Sequence, residues 1–310
     1  MYHVSKRSFL KLAGAAGTLA ATPALVGRAM ADTPPATARG QVVAGISQEP
    51  TVFNPLMPGS EYDQGIWWQV FSTLWHIDAE GRVVPDLAAE LPTVANGGLS
   101  ADGRIWKVKL RRDVTWHDGT PFTAHDVKYT LDLINNPDFR VRNRVGHSLL
   151  RNVTVAADDE IHWLLAEPFA PYMSVLSLTF IVPRHILSAA EDPNTAAFNS
   201  APVGTGPFRW GKRQAGEYIL LDRNPDYHGD GPWLERVVFR YIPDQTMLYT
   251  QFRSGEIDYL GLSGLQPAFD AEARALPGLR IVAAPAPFVE HIALNHAFPP
   301  FADKAVRQAL

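Results

Sequence analysis

A serine set among glycines, Gly261-Leu262-Ser263-Gly264-Leu265, is one place in this sequence where covalent chemistry could reside. It resembles a nucleophile elbow, the sharp turn that lifts a serine hydroxyl above a sheet, but that turn also needs glycine two residues after the serine, and Leu265 stands there. Ten histidines occur without an H-E-x-x-H pair, so the helix-borne zinc motif of metalloproteases is missing from the sequence. His117-Asp118 could ligate a metal, yet it runs into Gly119-Thr120-Pro121, where an aspartate more readily caps its own backbone in a turn. Gly204-Thr205-Gly206 lacks the third glycine of a dinucleotide fingerprint and the Lys-Ser/Thr of a phosphate loop, and Pro207 follows it, so its role is read as conformational. Zero Cys excludes a thiolate nucleophile, a disulfide framework and Cys-ligated metal. No complete catalytic constellation emerges, which favours binding over turnover. Trp67-Trp68 fits that reading: neighbours on a helix point about 100° apart, so one indole can pack inward while the other walls a groove. Both could equally be core, as most aromatic residues are.

The elements that must position these residues alternate between short strands and helices. Gln41-Val42-Val43-Ala44-Gly45-Ile46 is an apolar run suited to a buried strand, followed by the extended, turning steps Glu49-Pro50 and Asn54-Pro55. Ile66, Trp67, Val70, Phe71 and Leu74 fall at helical spacing and predict a helix over residues 65–75. Trp106, Val108 and Leu110 alternate with Lys107 and Lys109 in a half-buried strand that Val114-Thr115-Trp116 continues. Thr123 and Asp126 have the spacing of a capping box, and Val127, Thr130, Leu131 and Ile134 form one helical face that ends at Asn135-Asn136-Pro137. Asp158-Asp159 lies between two alternating runs, a hairpin pattern. The strand around Val237 to Ile242 is apolar on much of both faces, as inside a covered sheet. Asp244 caps a helix through Arg253 with Gly255 at its end, and residues 257–260 and 280–282 read as further strands. The fold class is α/β, in more than one lobe.

Composition narrows the rest. The 310 residues are 46% hydrophobic and 19% charged with a formal charge of −4, the profile of a globular chain and not of a disordered one. An acidic chain is a poor match for broad phosphate-backbone binding, so nucleic acid is not an expected partner. Residues 1–31 contain Lys6, Arg7, Lys11 and Arg28 but no acid, then an apolar stretch, then Ala29-Met30-Ala31, which predicts an export leader cleaved before Asp32. The apolar run of residues 12–26 is shorter than the roughly twenty residues a membrane span needs. Ser5-Lys6-Arg7-Ser8-Phe9-Leu10-Lys11 resembles the twin-arginine motif with Lys6 at its first basic position, so the Tat and Sec routes both stay open. Loss of four cations with the leader takes the formal charge from −4 to −8. Residues 32–40 are a flexible lead-in.

Several blocks follow one another along the chain: Val84-Pro85-Asp86-Leu87-Ala88, the run from Lys109 through Trp116-His117-Asp118-Gly119-Thr120-Pro121-Phe122 to Val127, Pro202-Val203-Gly204-Thr205-Gly206-Pro207-Phe208, and Arg223-Asn224-Pro225-Asp226-Tyr227-His228-Gly229. Ser254-Gly255-Glu256-Ile257-Asp258 and the segment from Leu294-Asn295 to Leu310 continue the series. In this order they resemble the family 5 extracellular solute-binding proteins, the peptide, nickel and opine receptors of ABC importers.

The resemblance implies a periplasmic binding protein type II-like fold of two lobes that closes on a solute and delivers it to a membrane permease. It implies no enzyme activity and no cofactor, and a monomer is expected. Residues 41–56 and 168–262 are then the sheet domain of lobe one, 57–167 its inserted subdomain, and 263–310 the start of lobe two. The helix begun at Asp303 stops after about two turns without a terminator, so the chain is read as truncated within lobe two. By the same resemblance the ligand side is expected at Glu49, Phe53, Met57 and Tyr62 in the loop after the first strand, at Trp67 or Trp68, and at Phe288 and His291. Glu49 could pair with a ligand ammonium or be a solvated loop acid; Tyr62 could stack or donate a hydrogen bond. Peptide, opine, nickel chelate and sugar are open as ligands. A secreted hydrolase, or a receptor-like chaperone or sensor, is the alternative function.

Overall fold

Alternation along Gln41–Ile46 decides where the site can be. Val42, Ala44 and Ile46 share one face with Val237 and Phe239 of the parallel neighbour Arg236–Tyr241, through the pairs Val42–Val237 and Ala44–Phe239. The opposite face carries Val43 and Gly45, and a Cβ on Gly45 would lie 2.7 Å from Leu248, so the covering helix Gln245–Ser254 seats directly on it. In the computed structural model, which describes residues 2–6, 38–261, 265–283 and 292–310, the strands are β1 (Tyr2–Lys6), β2 (Gln41–Ile46), β3 (Trp75–Ile77), β4 (Val83–Pro85), β5 (Ile105–Lys109), β6 (Leu150–Ala157), β7 (Glu160–Leu165), β8 (Phe208–Gln214), β9 (Tyr218–Arg223), β10 (Arg236–Tyr241), β11 (Tyr259–Leu260) and β12 (Leu279–Ala283).

Seven of these form one sheet in the order β12-β1-β11-β2-β10-β9-β8, with β2 parallel to both β10 and β11. Strand β1 falls within the segment read as a leader and pairs antiparallel with β11 and β12. A separate antiparallel sheet, β5-β7-β6, and the β3–β4 hairpin make up the rest. Trp106 and Val108 of β5 are buried while Lys107 and Lys109 are exposed, as the alternation predicts. Against this small sheet packs a core of its own, in which Trp75, Trp106, Trp163 and Tyr172 meet ring to ring.

Helix α1 (Glu61–Val70) covers the first face of the large sheet. It begins four residues earlier than the spacing of apolar residues predicts and stops at Val70, leaving Phe71 and Leu74 buried outside any helix. Its start is set by Ser60 and Asp63, whose side chains and backbone satisfy each other in a capping box. Its end is set by the turn Gly204–Gly206. Gly206 N–H donates to Val70 O at 2.9 Å, and a Cβ on Gly204 would lie 1.8 Å from that same oxygen. Helix α2 (Ala124–Asn135) runs between the residues expected, and the buried carboxylate of Asp126 accepts from Thr123 N and from Arg184 N.

The small and large sheets are tied by side chains from the blocks that carry the resemblance. His117 Nε2–H donates to Gly206 O at 3.0 Å while Nδ1 accepts from Gly204 N–H at 3.2 Å. Asn224 Nδ2 donates to the same Gly206 carbonyl. Nearby, Asp86 and His228 form a buried pair at 2.7 Å, and Arg111 donates to His228 O. These blocks act as fasteners between elements and do not converge on an open site.

Candidate functional site

The opposed periodicities of a strand and a helix create the cavity. Val42, Ala44, Ile46, Val237 and Phe239 form a flat apolar floor, one residue in two, while Glu61, Gln64, Gly65, Trp68 and Gln69 of α1 stand over it at helical spacing. The other stripe of α1, Asp63, Ile66, Trp67 and Val70, is turned into the core. Tyr259 and Gly261 flank the far side, and the cavity between them measures about 470 Å³. That is within the size range of small-molecule sites. Gly65 is costly in mid-helix, by about 1 kcal/mol against alanine, but at this position a missing side chain leaves room in the cavity.

The Trp67-Trp68 pair divides as adjacent helical positions must. Trp67 is 0% exposed and its Nε1–H donates to Val52 O at 2.8 Å, so it is core and does not face a groove. Trp68 is 38% exposed, lines the cavity and meets Phe180 edge-on with ring centroids 4.7 Å apart. Phe53 is 1% exposed, packed on Trp210 and beneath the guanidinium of Arg213. Arg213 also pairs with Glu49 at 2.7 Å, so Glu49 is neither a solvated acid nor a free counter-ion for a ligand. Met57 packs against the same core as Phe53. Tyr62 OH lies 2.8 Å from Ser47 Oγ, bridging the loop to the helix. Phe288, His291 and Ser263 lie outside the described residues. Of the expected site residues, then, Trp68 is the one brought to the cavity wall, and Glu49 and Phe53 are brought together by Arg213 on the loop.

Sequence reasoning passed over Glu61 and Gln64 because it started the helix at Gly65, and Gly65 and Gln69 because it followed only the apolar positions of that helix. The Ser60–Asp63 spacing was the signal that would have found them. Asp63 does more than cap: its buried carboxylate also accepts from Thr51 N at 2.7 Å and Val52 N at 2.9 Å, besides Ser60 N and Oγ. It thereby holds the loop of residues 49–60 against α1. Asp63→Asn turns one acceptor into a donor facing these N–H groups. We expect it to lower unfolding free energy by about 2 kcal/mol, read from urea unfolding, and an unchanged midpoint would show the loop is held by other means. Among the described residues, no group of three or more His, Asp or Glu is arranged to hold a metal ion.

Comparison with known proteins places these features. Residues 82–310 match the family model for bacterial extracellular solute-binding proteins, family 5 Middle. The chain is 32% identical over 276 residues to the oligopeptide-binding protein AppA of Bacillus subtilis, covering 87% of this chain and 49% of that protein. The AppA structure in complex with a nonapeptide superposes with a TM-score of 0.69 at 28% identity, covering 77% of this chain and 46% of that one. NikZ of Campylobacter jejuni, in complex with Ni(L-His), gives a TM-score of 0.64 at 28% identity, covering 70% of this chain and 42% of that one. The chain spans about half the length of the curated relatives it matches.

Proposed function

Because the chain belongs to family 5 of the bacterial extracellular solute-binding proteins, whose type II-like two-lobed fold it shares, we propose that it serves as the substrate-binding component of an ABC importer. In this reading it is exported by the Tat or Sec route on a leader of residues 1–31, works as a monomer in the periplasm, and passes a peptide or similar small solute to a membrane permease. Residues 41–56 and 168–262 make the sheet domain of lobe one, 57–167 its insert and 263–310 the start of lobe two. Leader removal takes β1 out from between β11 and β12. Binding without turnover is what such receptors do, and the sequence carries no complete nucleophile motif for the hydrolase alternative.

The observation that carries the ligand-site assignment is the cavity under α1: an apolar floor, one exposed indole and three polar side chains at helical spacing. Such a surface gives area through Trp68 and orientation through a few polar groups, which suits small solutes. Adding a tripeptide pool to the full chain is expected to change Trp fluorescence, and Trp68→Phe to remove most of that change. Gly65→Leu fills the cavity and is expected to weaken binding at least about tenfold, since overpacking costs 1–3 kcal/mol. Undiminished affinity in Gly65→Leu would place the solute elsewhere.

A further inference from the structure

Five residues read in the sequence as the start of an export leader are built into the large sheet. Strand β1 lies between β11 and β12 and runs antiparallel to both. On one side Val4 is paired with Leu260 and Ser5 with Tyr259. On the other, Tyr2–Lys6 pairs residue for residue with Leu279–Ala283. Among the described residues β12 has no other strand partner, so it is the outermost strand and joins the sheet through β1. Leu279 and Ile281 also pack on the core of Leu248, Phe252 and Ile257, which keeps β12 beside the sheet.

Ser5 and Lys6 are also the first two positions of the run Ser5-Lys6-Arg7-Ser8-Phe9-Leu10-Lys11 that resembles the twin-arginine motif. A strand paired on both sides has its N–H and C=O groups committed to its neighbours. An export receptor that takes these residues as free chain competes with the sheet for them. We propose that β1 is an autoinhibitory contact: the folded precursor masks the start of its own export signal, and β1 must leave β11 and β12 before export and cleavage. The proposal rests on the leader reading of residues 1–31. The position of the contact makes it reversible. Only two residue pairs hold β1 to β11, and β12 is an edge strand, so the two outer strands can part from β11 while β2, β10, β9 and β8 stay paired. Such peripheral units open at a free energy below that of global unfolding. Holding β1 in place also closes the chain between Lys6 and Gln41 into a loop, an entropic cost set against a short ladder. Folding and targeting are thus coupled through a contact that the processed chain no longer contains, since cleavage before Asp32 removes it.

The protein lacks cysteine, so cross-strand thiols can be introduced without competition. His3→Cys with Val282→Cys occupies directly opposite positions and is expected to oxidise to an intramolecular disulfide in the full precursor. His3→Cys with Arg280→Cys is two residues out of register, at the roughly 7–8 Å of diagonal neighbours, and is expected to stay mostly reduced. The function is read by pulse-labelling the precursor in bacteria and following the appearance of the chain that starts at Asp32. Val282→Pro takes a donor from β12 with the leader unchanged, and His3→Pro breaks β1 outside both the motif and the processed chain, so it cannot unfold the product. Each is expected to speed processing at least about threefold, the scale of one hydrogen bond. Equal oxidation of both cysteine pairs, or of neither, overturns the contact. Unchanged processing in both proline variants overturns the masking and leaves the leader reading standing. If no chain starting at Asp32 appears, the leader reading fails and the masking falls with it.

Discussion

Gly204→Ala should unfold this protein or cost it about 4 kcal/mol or more, well above the usual effect of one methyl group. The added Cβ would lie 1.8 Å from Val70 O and 2.7 Å from Val70 C, both backbone atoms that no rotamer change can move. Relief requires the turn to lift off the end of α1, and lifting breaks three contacts together: Gly206 N–H to Val70 O, His117 Nε2–H to Gly206 O, and Gly204 N–H to His117 Nδ1. Gly81→Ala is the control. Gly81 has φ +81 but open space around it, so alanine there meets only the left-handed backbone penalty of about 1–2 kcal/mol. Urea unfolding of the two variants should thus separate steric exclusion from dihedral strain. A soluble Gly204→Ala protein with an unchanged midpoint would mean that the turn and the helix end are not in contact.

The same turn shows what could be read in the sequence and what could not. Local rules served well where one segment contains all its determinants. Gln41–Ile46 is a strand because six residues alternate between two covered faces, Ala124–Asn135 is a helix between Thr123 and Asn136, and Asp244 and Gly255 bound Gln245–Ser254. The limits of α1 were misread because its apolar stripe runs on past the helix. Phe71 and Leu74 keep helical spacing and are buried, but Val70 O is already taken by Gly206 N–H. That partner is far along the chain, as is the 87-residue separation between His117 and Gly204, and no window of local sequence contains either pair. The functional stripe was hidden for the same reason. Once α1 starts at Glu61, the positions 61, 64, 65, 68 and 69 define one face, and the choice between Trp67 and Trp68 is decided by geometry alone. Glu49 was misjudged because its partner, Arg213, comes from the far edge strand β8, 164 residues away. A loop acid without a local partner is indistinguishable from a solvated one until the sheet brings that strand beside it.

Acidification from pH 6.5 to 4 should strip stability on the order of 6 kcal/mol, because two buried histidines must be protonated as the chain unfolds. His117 is lowered to about 4 from an ordinary value of 6.5, first by burial and then by the nearby Arg209 guanidinium; hydrogen bonding to Gly206 O and the charge of Asp118 oppose this. Its geometry agrees: Nδ1 accepts from Gly204 N–H, so a proton there would set two donors face to face. His147 is also lowered to about 4, by burial. Thr179 Oγ1 donates to Val175 O and so accepts from His147 Nε2–H, while His147 Nδ1 faces Tyr172 OH, whose own pKa is pushed up by burial. Both folded-state values lie below the unfolded one. Between pH 6.5 and 4 the unfolded chain therefore binds more protons, and stability is complete above 6.5 and falls as the pH drops, by up to about 1.4 kcal/mol per unit for each imidazole. Below about 4 the folded histidines protonate as well and this loss levels off. Carboxylates such as Asp113, held below the usual range of 3.8 by the hydrogen-bonded Arg111 guanidinium, lose their contribution only beneath that window. Urea midpoints taken from pH 7.5 to 4.5 should decline steeply, and His147→Gln should halve the slope. A flat profile would mean that neither imidazole is sealed from water. The consequence reaches the cavity, because His117 holds the turn that terminates α1, and α1 is its wall. Because His117 stays neutral in the folded chain until about pH 4, solute affinity should hold through the range in which stability falls and weaken only as the pH drops through about 4, and the His147→Gln variant should keep that dependence, since His147 lies away from the turn.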